Sequence, residues 1–335
     1  MHKTSGTKLS ILKRLLSTPS EMVPSGELVE KLEVSRQAIW KGIESLRDET
    51  IGIESVPNRG YRFLRPPTYD LSPSWLECRL ENCTLGHPIL LFESVNSTQE
   101  IAKEAARQGA NGGLVVIAEE QRTGRGRMGR CWLSPTGGNI YASILLRPRI
   151  PPMRIQLINL AAGLAVHMAL ESMYGIRCSL KWPNDLLWKG KKLCGILSES
   201  ASETDRVHYA VTGIGLNVNM SADDLVSAGV DNPSSVRVIR GSISDRGEIL
   251  GQVLRGFSDL LRLLEEESQG ISRVVSLYRQ RCSTLGKEIR VLTDSGTDYG
   301  IAENVTSDGA LVVNVCGGLR VYTAADVLHV RASEE

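Results

Sequence analysis

Residues 25–47 read SGELVEKLEVSRQAIWKGIESLR, and this stretch decides the fold of the N-terminal part of the chain. Its first third has the apolar spacing of a short helix, with Ser25 and Glu27 in the region of its N-terminal cap. A tight turn at Glu33 follows. Ser35 is suited to cap a second helix, in which apolar residues recur at helical spacing through about Arg47. The stretch therefore predicts a helix-turn-helix.

The residues on either side of this motif complete a winged module. A short apolar helix precedes it and ends before Pro19. After it, Ile51 to Val56 and Tyr61 to Leu64 have the composition of two strands, joined by a turn at residues 57–60. That hairpin is the expected wing.

The second helix of the motif carries polar and aromatic side chains on its outer face. In such modules this face reads base edges or phosphates, and arginines on the wing favour the same function. The alternative is a solvated helix face in a vestigial domain. The candidate DNA-binding residues are Ser35, Arg36, Gln37, Trp40, Lys41 and, on the wing, Arg59.

The pattern of the sequence changes twice after the wing. Residues 64–73 contain three prolines and read as a linker, with a domain boundary near residue 68. From there to about 283, strand-like and helical runs alternate, and the last fifty residues are short strands separated by glycine turns. We expect an α+β protein with a winged helix-turn-helix domain (1–66), a mixed α/β domain (70–283) and a small SH3-like β-barrel (284–335).

Composition narrows the class of protein. The formal net charge is +1, so any nucleic-acid binding depends on a local patch. Seven cysteines, an odd number without a C-x-x-C pair, favour reduced thiols and a cytoplasmic location. Residues 155–170 are apolar but interrupted by Gln156, Asn159 and His167, which predicts a buried helix and no membrane span.

The charge pattern is most uneven between Gln121 and Leu170, which holds seven arginines and no lysine, aspartate or glutamate. Four of the arginines lie in QRTGRGRMGR, residues 121–130. Planar guanidinium forks suit bidentate binding of phosphate or carboxylate, and glycines let the backbone approach a ligand. We expect an anion-binding loop. A solvated basic loop is the alternative.

Two nucleotide-binding motifs are excluded in this chain. Gly124, Gly126 and Gly129 match a dinucleotide fingerprint, but no helix opens after them and no acidic residue occurs before Glu171. The pair Gly286-Lys287 is followed by Glu288, so there is no Walker A sequence.

A second cluster is KWPND at residues 181–185, followed by a turn at Lys189-Gly190. That turn predicts a hairpin in which Asp185 and Lys192 occupy corresponding ends of paired strands. Two interpretations stay open from the residues alone. The pair is either a surface ion pair of small energetic value, or a site where Asp185 binds Mg²⁺ and lysine neutralises phosphate.

A third candidate is Ser97-Thr98-Gln99, between a strand and a helix. A hydroxyl here is expected to cap the helix, and the same donors can meet an uncharged polar ring or a carboxylate. The chain has no Gly-x-Ser-x-Gly and no H-E-x-x-H sequence, so the common hydrolase sites are excluded.

Four segments together resemble the biotin-protein ligases: GRGRMGRCW (124–132), KWPND (181–185), KLCGIL (192–197) and GIGLNVN (213–219). With the winged helix in front, nearly the whole chain is similar to the bifunctional members that are both biotin operon repressors and biotin-[acetyl-CoA-carboxylase] ligases. The resemblance implies that biotin and ATP form biotinyl-5'-AMP, and that biotin then passes to a lysine of a biotin carboxyl carrier protein. Such chemistry needs positioning and charge stabilisation and no enzyme nucleophile.

The resemblance also implies roles for individual residues. It implies biotin binding by Ser97, Thr98, Gln99, Gln121, Arg125, Gly126, Arg127, Trp132 and Lys192. It implies ATP binding by Arg127, Trp132, Lys181 and Asn217, a Mg²⁺ ligand in Asp185, and catalytic roles for Arg125, Arg127, Lys192 and Asp185. As a repressor the protein would bind operator DNA as a homodimer, with biotinyl-5'-AMP as corepressor.

Two positions depart from the family pattern. Gln99 stands where Asn is common, which leaves its contact open. Met128 replaces an arginine found in some members and is expected to face away from the ligand. Two other functions remain as alternatives: a regulator that binds an adenylate without catalysis, and a lipoate ligase, a family that usually lacks the winged helix. Arg147, Arg149 and Arg154 lie beyond the motif and have no assigned role.

Overall fold

The computed structural model describes residues 2–230, 232–266, 268–293, 296–323 and 325–329. In chain order its helices are α1 (His2–Ser17), α2 (Ser25–Leu32), α3 (Arg36–Asp48), α4 (Pro73–Arg79), α5 (Thr98–Arg107), α6 (Ile155–Tyr174), α7 (Ala222–Ser227), α8 (Val236–Arg240), α9 (Arg246–Glu265) and α10 (Ser268–Arg279). The first nine strands are β1 (Gly52–Val56), β2 (Gly60–Arg65), β3 (Ile89–Val95), β4 (Val115–Gln121), β5 (Ile140–Leu146), β6 (Ser179–Lys181), β7 (Asp185–Trp188), β8 (Lys191–Ser202) and β9 (Val207–Leu216). The C-terminal strands are β10 (Glu288–Thr293), β11 (Gly296–Val305), β12 (Leu311–Val315), β13 (Gly318–Tyr322) and β14 (Asp326–His329).

The predicted winged helix-turn-helix is confirmed. Helices α1 to α3 enclose an apolar core of their own, and β1 pairs with β2 as the antiparallel wing. The Ser35 hydroxyl caps α3 by accepting from the Ala38 amide at 3.1 Å, as its position predicted. The expected cap of α2 is displaced by one residue, because Pro24 is the N-cap and Ser25 already lies in the helix.

The central domain is built on a seven-stranded mixed sheet of order β3-β4-β5-β9-β8-β7-β6. Only the β3–β4 ladder is parallel. Alternate residues of a strand point to opposite faces, so Val115 and Ile117 of β4 enter the large core while Val116 enters a smaller one beneath α5. The large core also takes in α6 and α9, which pack against each other.

Helix α6 is the apolar run predicted from the sequence. It is long and apolar enough to cross a membrane by length and composition, but 72% of its most apolar window is buried within the protein. The prediction of a buried core helix is therefore confirmed.

Helix α4 packs on both the N-terminal module and the central domain. Trp75 stacks on Phe63 of the wing with ring centroids 5.9 Å apart, whereas Leu76 and Leu80 belong to the central core. The segment that follows the proline linker is thus shared between the two cores, and the predicted domain limits stay a prediction.

The C-terminal residues form the predicted short strands. They make an antiparallel five-stranded sheet of order β13-β12-β11-β10-β14. Its inner face joins the central core through residues such as Ile289, Val291 and Val313. Val327 of β14 belongs to the same core.

The three unassigned arginines have structural contacts. Arg147 donates to the carbonyl oxygens of Ala106, Ala110 and His208 at 2.8–3.0 Å. The Arg149 amide donates to Glu265, and Arg154 pairs with Asp308 of the C-terminal domain at 3.1 Å. These contacts connect elements of the fold.

Candidate active site

The arginine loop between β4 and β5 folds back on itself as a narrow turn. The Trp132 amide donates to the Gly124 carbonyl at 2.9 Å, and the Gly126 amide donates to the Arg130 carbonyl at 2.7 Å. A Cβ at Gly124 would lie 2.4 Å from the Trp132 carbonyl oxygen, so this close approach requires glycine. Met128 at the tip is 58% exposed and lies outside the cavity lining, in keeping with its expected orientation.

The loop forms one wall of a cavity over the central sheet. The predicted residues that line it are Ser97, Thr98, Gln99, Gln121, Arg125, Gly126, Arg127, Trp132, Lys181, Asp185 and Lys192. Residues that are distant in sequence thus meet at one place. Asn217 is not among the lining residues, and its side-chain amide donates to the Ser234 carbonyl at 3.0 Å. Its assignment to ATP binding stays a prediction.

Trp132 lies flat against two glycines of the sheet. A Cβ at Gly215 would come within 2.4 Å of the indole ring, and one at Gly195 within 2.7 Å. The Lys192 ammonium lies 5.3 Å from the ring centroid, within cation–π range. The indole Nε1 is buried without a hydrogen-bond partner, so it is a donor available to a ligand.

One end of the cavity is uncharged and polar. Gln121 Oε1 accepts from the Thr98 amide at 2.9 Å and from the Thr98 hydroxyl at 3.0 Å. Gln99 donates to the carbonyls of Leu197 and Val211, which joins α5 to β8 and β9. Ser97 is the N-cap residue of α5, but its side chain makes no capping bond. The hydroxyl at the start of this helix is therefore not used as a cap.

Ser143 is a member of this polar end that the sequence did not indicate. It lies on β5 and is 1% exposed, 2.8 Å from the Thr98 hydroxyl, and it donates to Gln99 Oε1 at 3.1 Å. A serine in an otherwise apolar strand was the available signal, because a buried hydroxyl needs a polar partner. This end can exchange hydrogen bonds with a neutral, polar ring.

The other end of the cavity is charged. The predicted hairpin is confirmed: Lys189 and Gly190 both have positive φ, and β7 pairs with β8. A register shift sets Asp185 opposite Gly195 and Lys192 opposite Leu187, so the two residues are not at matching positions. Lys192 Nζ nevertheless lies 2.8 Å from Asp185 Oδ1, and both side chains are mostly buried.

Two further cations at this end, Lys181 and Arg127, are partly withdrawn from water. Burial lowers the pKa of Lys181 below its usual value, although Asp185 opposes the effect. Burial likewise lowers the pKa of Arg127. A cation taken out of water is stabilised by a bound anion, so the cluster is suited to phosphate.

The C-terminal sheet also contributes to the site, which the sequence did not predict. Arg127 Nη2 donates to the Ala325 carbonyl at 3.2 Å, and Val327 and Leu328 line the cavity. Trp182, fully buried beside Lys181, donates through Nε1 to the Gly309 carbonyl at 3.0 Å. The charged end is thus built between two domains.

Three protein-family models match the N-terminal, central and C-terminal parts of the chain. Residues 7–62 match an HTH domain model, residues 91–217 match the biotin/lipoate A/B protein ligase family, and residues 284–330 match the biotin protein ligase C-terminal domain. The bifunctional ligase/repressor BirA of Bacillus spizizenii is 34% identical over 92% of this chain and 94% of its own length. The chain belongs to the bifunctional biotin ligase/repressor family.

Other members of the family support this assignment. The bifunctional ligase/repressor BirA of Escherichia coli is 28% identical over 90% of this chain and 92% of its own length. Among solved structures, the biotin protein ligase of Aquifex aeolicus in complex with biotin and ATP has a TM-score of 0.58 and 28% identity. That likeness covers 73% of this chain and 99% of the Aquifex chain.

The candidate DNA-binding residues lie apart from the cavity. Arg36, Gln37 and Lys41 are exposed on α3, where Trp40 is 55% exposed. Ser35 is exposed at the N-cap of α3, and Arg59 is exposed at the wing turn. Arg62 on the wing is instead paired with Glu54 at 2.5 Å. Exposure of the first set is what a DNA-reading face requires.

Proposed function

We propose that this protein is a biotin-protein ligase that uses ATP to make biotinyl-5'-AMP and transfers biotin to a carrier-protein lysine. The observation that carries the proposal is the two-ended cavity. Hydroxyl and amide groups at Ser97, Thr98, Gln99 and Gln121 suit the ureido ring of biotin, while the cations at the other end suit its carboxylate and the nucleotide phosphates.

The reaction needs no nucleophile from the protein. In the first step a carboxylate oxygen of biotin attacks the α-phosphorus of ATP. An oxygen–phosphorus bond forms, the bond from the α-phosphorus to the α–β bridging oxygen breaks, and pyrophosphate leaves. In the second, the neutral amine of the carrier lysine attacks the anhydride carbonyl. An amide bond forms, the bond between the acyl carbon and the phosphate oxygen breaks, and AMP and a proton leave. Arg127, Lys181 and Lys192 stabilise negative charge on the transferring groups, and the cavity holds both substrates in position.

Mg²⁺ is part of the proposal. Within the described residues, no group of three or more His, Cys, Asp or Glu could hold a metal ion by itself. Asp185 in the cavity fits a single-carboxylate site, since Mg²⁺ commonly takes one protein carboxylate together with substrate phosphate oxygens. A Mg²⁺ ion bound there would neutralise further phosphate charge.

The regulatory part of the proposal rests on the N-terminal module. We propose that it binds operator DNA as a homodimer with biotinyl-5'-AMP as corepressor, because the helix α3 face is exposed and the bifunctional relatives share this module. The protein substrate is proposed to be the biotin carboxyl carrier protein. A reducing, cytoplasmic location agrees with the free state of all seven cysteines.

The decisive experiment incubates the protein with biotin, MgATP and a biotin carrier domain. We expect covalent biotin on the carrier, detected by intact mass, and a loss of about 100-fold or more in kcat for Lys192→Ala, because a cation at the reacting carboxylate is removed. The matched control is Lys191→Ala, an exposed neighbour outside the cavity lining.

Three results separate the alternatives. Binding of biotin without transfer would favour a non-catalytic regulator. Equal activity of Lys192→Ala and Lys191→Ala would remove Lys192 from the mechanism. Preference for lipoate in a competition with biotin would assign the site to a lipoate ligase.

A further inference from the structure

Arg246, the first residue of α9, is buried in spite of its charge, with 6% of its surface exposed. Its Nε and Nη2 atoms donate to the Asp70 carboxylate at 2.7–3.2 Å. Its Nη1 donates to Glu119 Oε2 at 2.8 Å and to the Asn139 carbonyl at 3.3 Å. A buried charge is retained at the cost of desolvation, so this guanidinium is held in one geometry by several partners.

Asp70 belongs to the connector, residues 66–72, between the wing and α4. Next to it, the Tyr69 amide donates to Thr50 Oγ1 at 2.9 Å, and the Tyr69 hydroxyl donates to Glu119. The connector is therefore hydrogen-bonded both to Thr50, just after the end of α3, and to Glu119 of the central sheet.

Glu49, the C-cap of α3, adds further bonds at this junction. Its carboxylate accepts from the Ser72 hydroxyl and from the Ser74 amide and hydroxyl at 2.7–2.8 Å. The C-terminal end of α3 is thus fixed to the last residue of the connector and to the first turn of α4.

Glu119 links these hydrogen bonds to the ligand site. It lies on β4 two residues before Gln121, and side chains two apart on a strand share one face. Gln121 ends the strand, lines the cavity and accepts both hydrogen bonds from Thr98. Arg246 thereby joins the connector to the strand that ends at the polar part of the cavity.

We propose that Arg246 is a positioning residue that sets the orientation of the DNA-binding module relative to the ligand site, so that ligand binding changes the affinity for DNA. This inference rests on the proposed function. The proposed role requires arginine, because a lysine ammonium cannot bind the Asp70 carboxylate in bidentate geometry and also reach Glu119.

The test compares Arg246→Lys with Arg79→Lys in the full chain. Arg79 makes an exposed pair with Glu248 at 2.9 Å across the same α4–α9 contact, without reaching β4. The probe is a DNA duplex selected from a random pool by the wild-type protein with biotin and MgATP. Its Kd is measured with and without biotin and MgATP, and carrier biotinylation is measured in parallel.

We expect the ligand-dependent gain in DNA affinity to fall by about tenfold or more in Arg246→Lys and to be unchanged in Arg79→Lys. Biotin transfer should stay within about threefold of wild type in both. Full ligand dependence in Arg246→Lys would overturn the inference, as would a loss of transfer that accounts for the change in DNA binding. Absence of transfer in the wild type would instead refute the proposed function.

Hydrogen exchange gives a readout that does not need DNA. Exchange at residues 47–50 and 66–72 should slow when biotin and MgATP bind the wild type, and Arg246→Lys should lose this response. A wild-type protein that binds biotin with unchanged exchange in both segments would also overturn the inference.

Discussion

Two arginines of the active-site loop make contacts of different strength. Arg125 pairs with Glu100 at 2.8 Å, but the side chains are 55% and 40% exposed, so water and salt weaken the pair. Arg127 is more buried and its described contact is the neutral Ala325 carbonyl, which does not balance its charge. An anionic ligand therefore gains more from Arg127 than from Arg125.

This difference predicts the behaviour of Arg127→Gly. The variant loses both the cation at the ligand and the bond that fixes the loop to the C-terminal sheet. We expect adenylate formation to continue while biotinyl-5'-AMP dissociates at least about tenfold faster, because a hydrogen bond to a charged group is worth roughly 1.5–3 kcal/mol. Release of labelled adenylate into excess unlabelled biotin and ATP measures the rate.

The control is Arg122→Gly, which removes an exposed arginine of the same loop that does not line the cavity. It should retain adenylate as the wild type does. Equal retention by both variants would show that the loop does not close over the intermediate.

The sequence predicted those site residues whose chemistry is carried by local pattern. Lys189-Gly190 fixes a two-residue turn, so Asp185 and Lys192 had to lie near each other. Ser143 and Leu328 were missed, because their place in the cavity depends on how distant elements pack. The periodicity of the local sequence does not show which distant elements pack together.

Among the elements, α6 carries a buried histidine with a defined tautomer. His167 Nδ1 lies 2.8 Å from the Cys178 carbonyl, an acceptor only, so Nδ1 carries the proton. Arg281 Nε donates to His167 Nε2 at 2.9 Å, a closer contact than the 3.3 Å between the same nitrogen and Glu171 Oε2, so the geometry favours an unprotonated Nε2. The ring is therefore neutral, and burial lowers its pKa below the usual value, reinforced by Arg281 and opposed by Glu171.

This arrangement predicts a loss of stability in mild acid. Because the folded pKa is depressed, the unfolded chain takes up a proton first as the pH falls below about 6.5, and the free energy of unfolding decreases. Above that pH the contribution is complete. We expect His167→Gln, whose amide can donate to Cys178 and accept from Arg281, to lose less stability between about pH 7 and about pH 5.5.

Urea unfolding at each pH, followed by circular dichroism, measures the difference. His208, which pairs with Glu203 near the surface, provides the control variant His208→Gln. If the wild type and His167→Gln had parallel stability profiles, the neutral-ring assignment would be refuted.

The elements differ in how far the sequence predicted them. Helix α3 was predicted with its cap, because Ser35 and the apolar spacing agree locally. Helix α4 was not, since it follows a proline-rich linker and its apolar residues divide between two cores. Helix α10 was also missed, although Ile271, Val274, Val275 and Tyr278 lie on one buried face.

At the scale of the whole molecule, the described structure separates the exposed face of α3, which we propose reads DNA, from the cavity. No described residue that lines the cavity lies on helix α3, and Glu49 at the end of α3 accepts a hydrogen bond from Ser72 of the connector. The active site instead draws on the central and C-terminal domains. Changes on the exposed face of α3 should therefore affect DNA binding alone.

We therefore expect Arg36→Ala and Lys41→Ala each to weaken binding of the selected DNA duplex while leaving biotin transfer unchanged. Both residues are exposed on α3. Loss of one phosphate contact lowers the slope of log Kd against log salt by about one, whereas loss of a base contact costs about 1–3 kcal/mol and relaxes sequence preference. Fluorescence anisotropy over a salt series distinguishes the two roles.

Lys31→Ala on α2, where Lys31 pairs with Glu27 at 2.9 Å, should leave both activities intact. Unchanged DNA affinity in both α3 variants would mean that this helix face is not the DNA-reading surface.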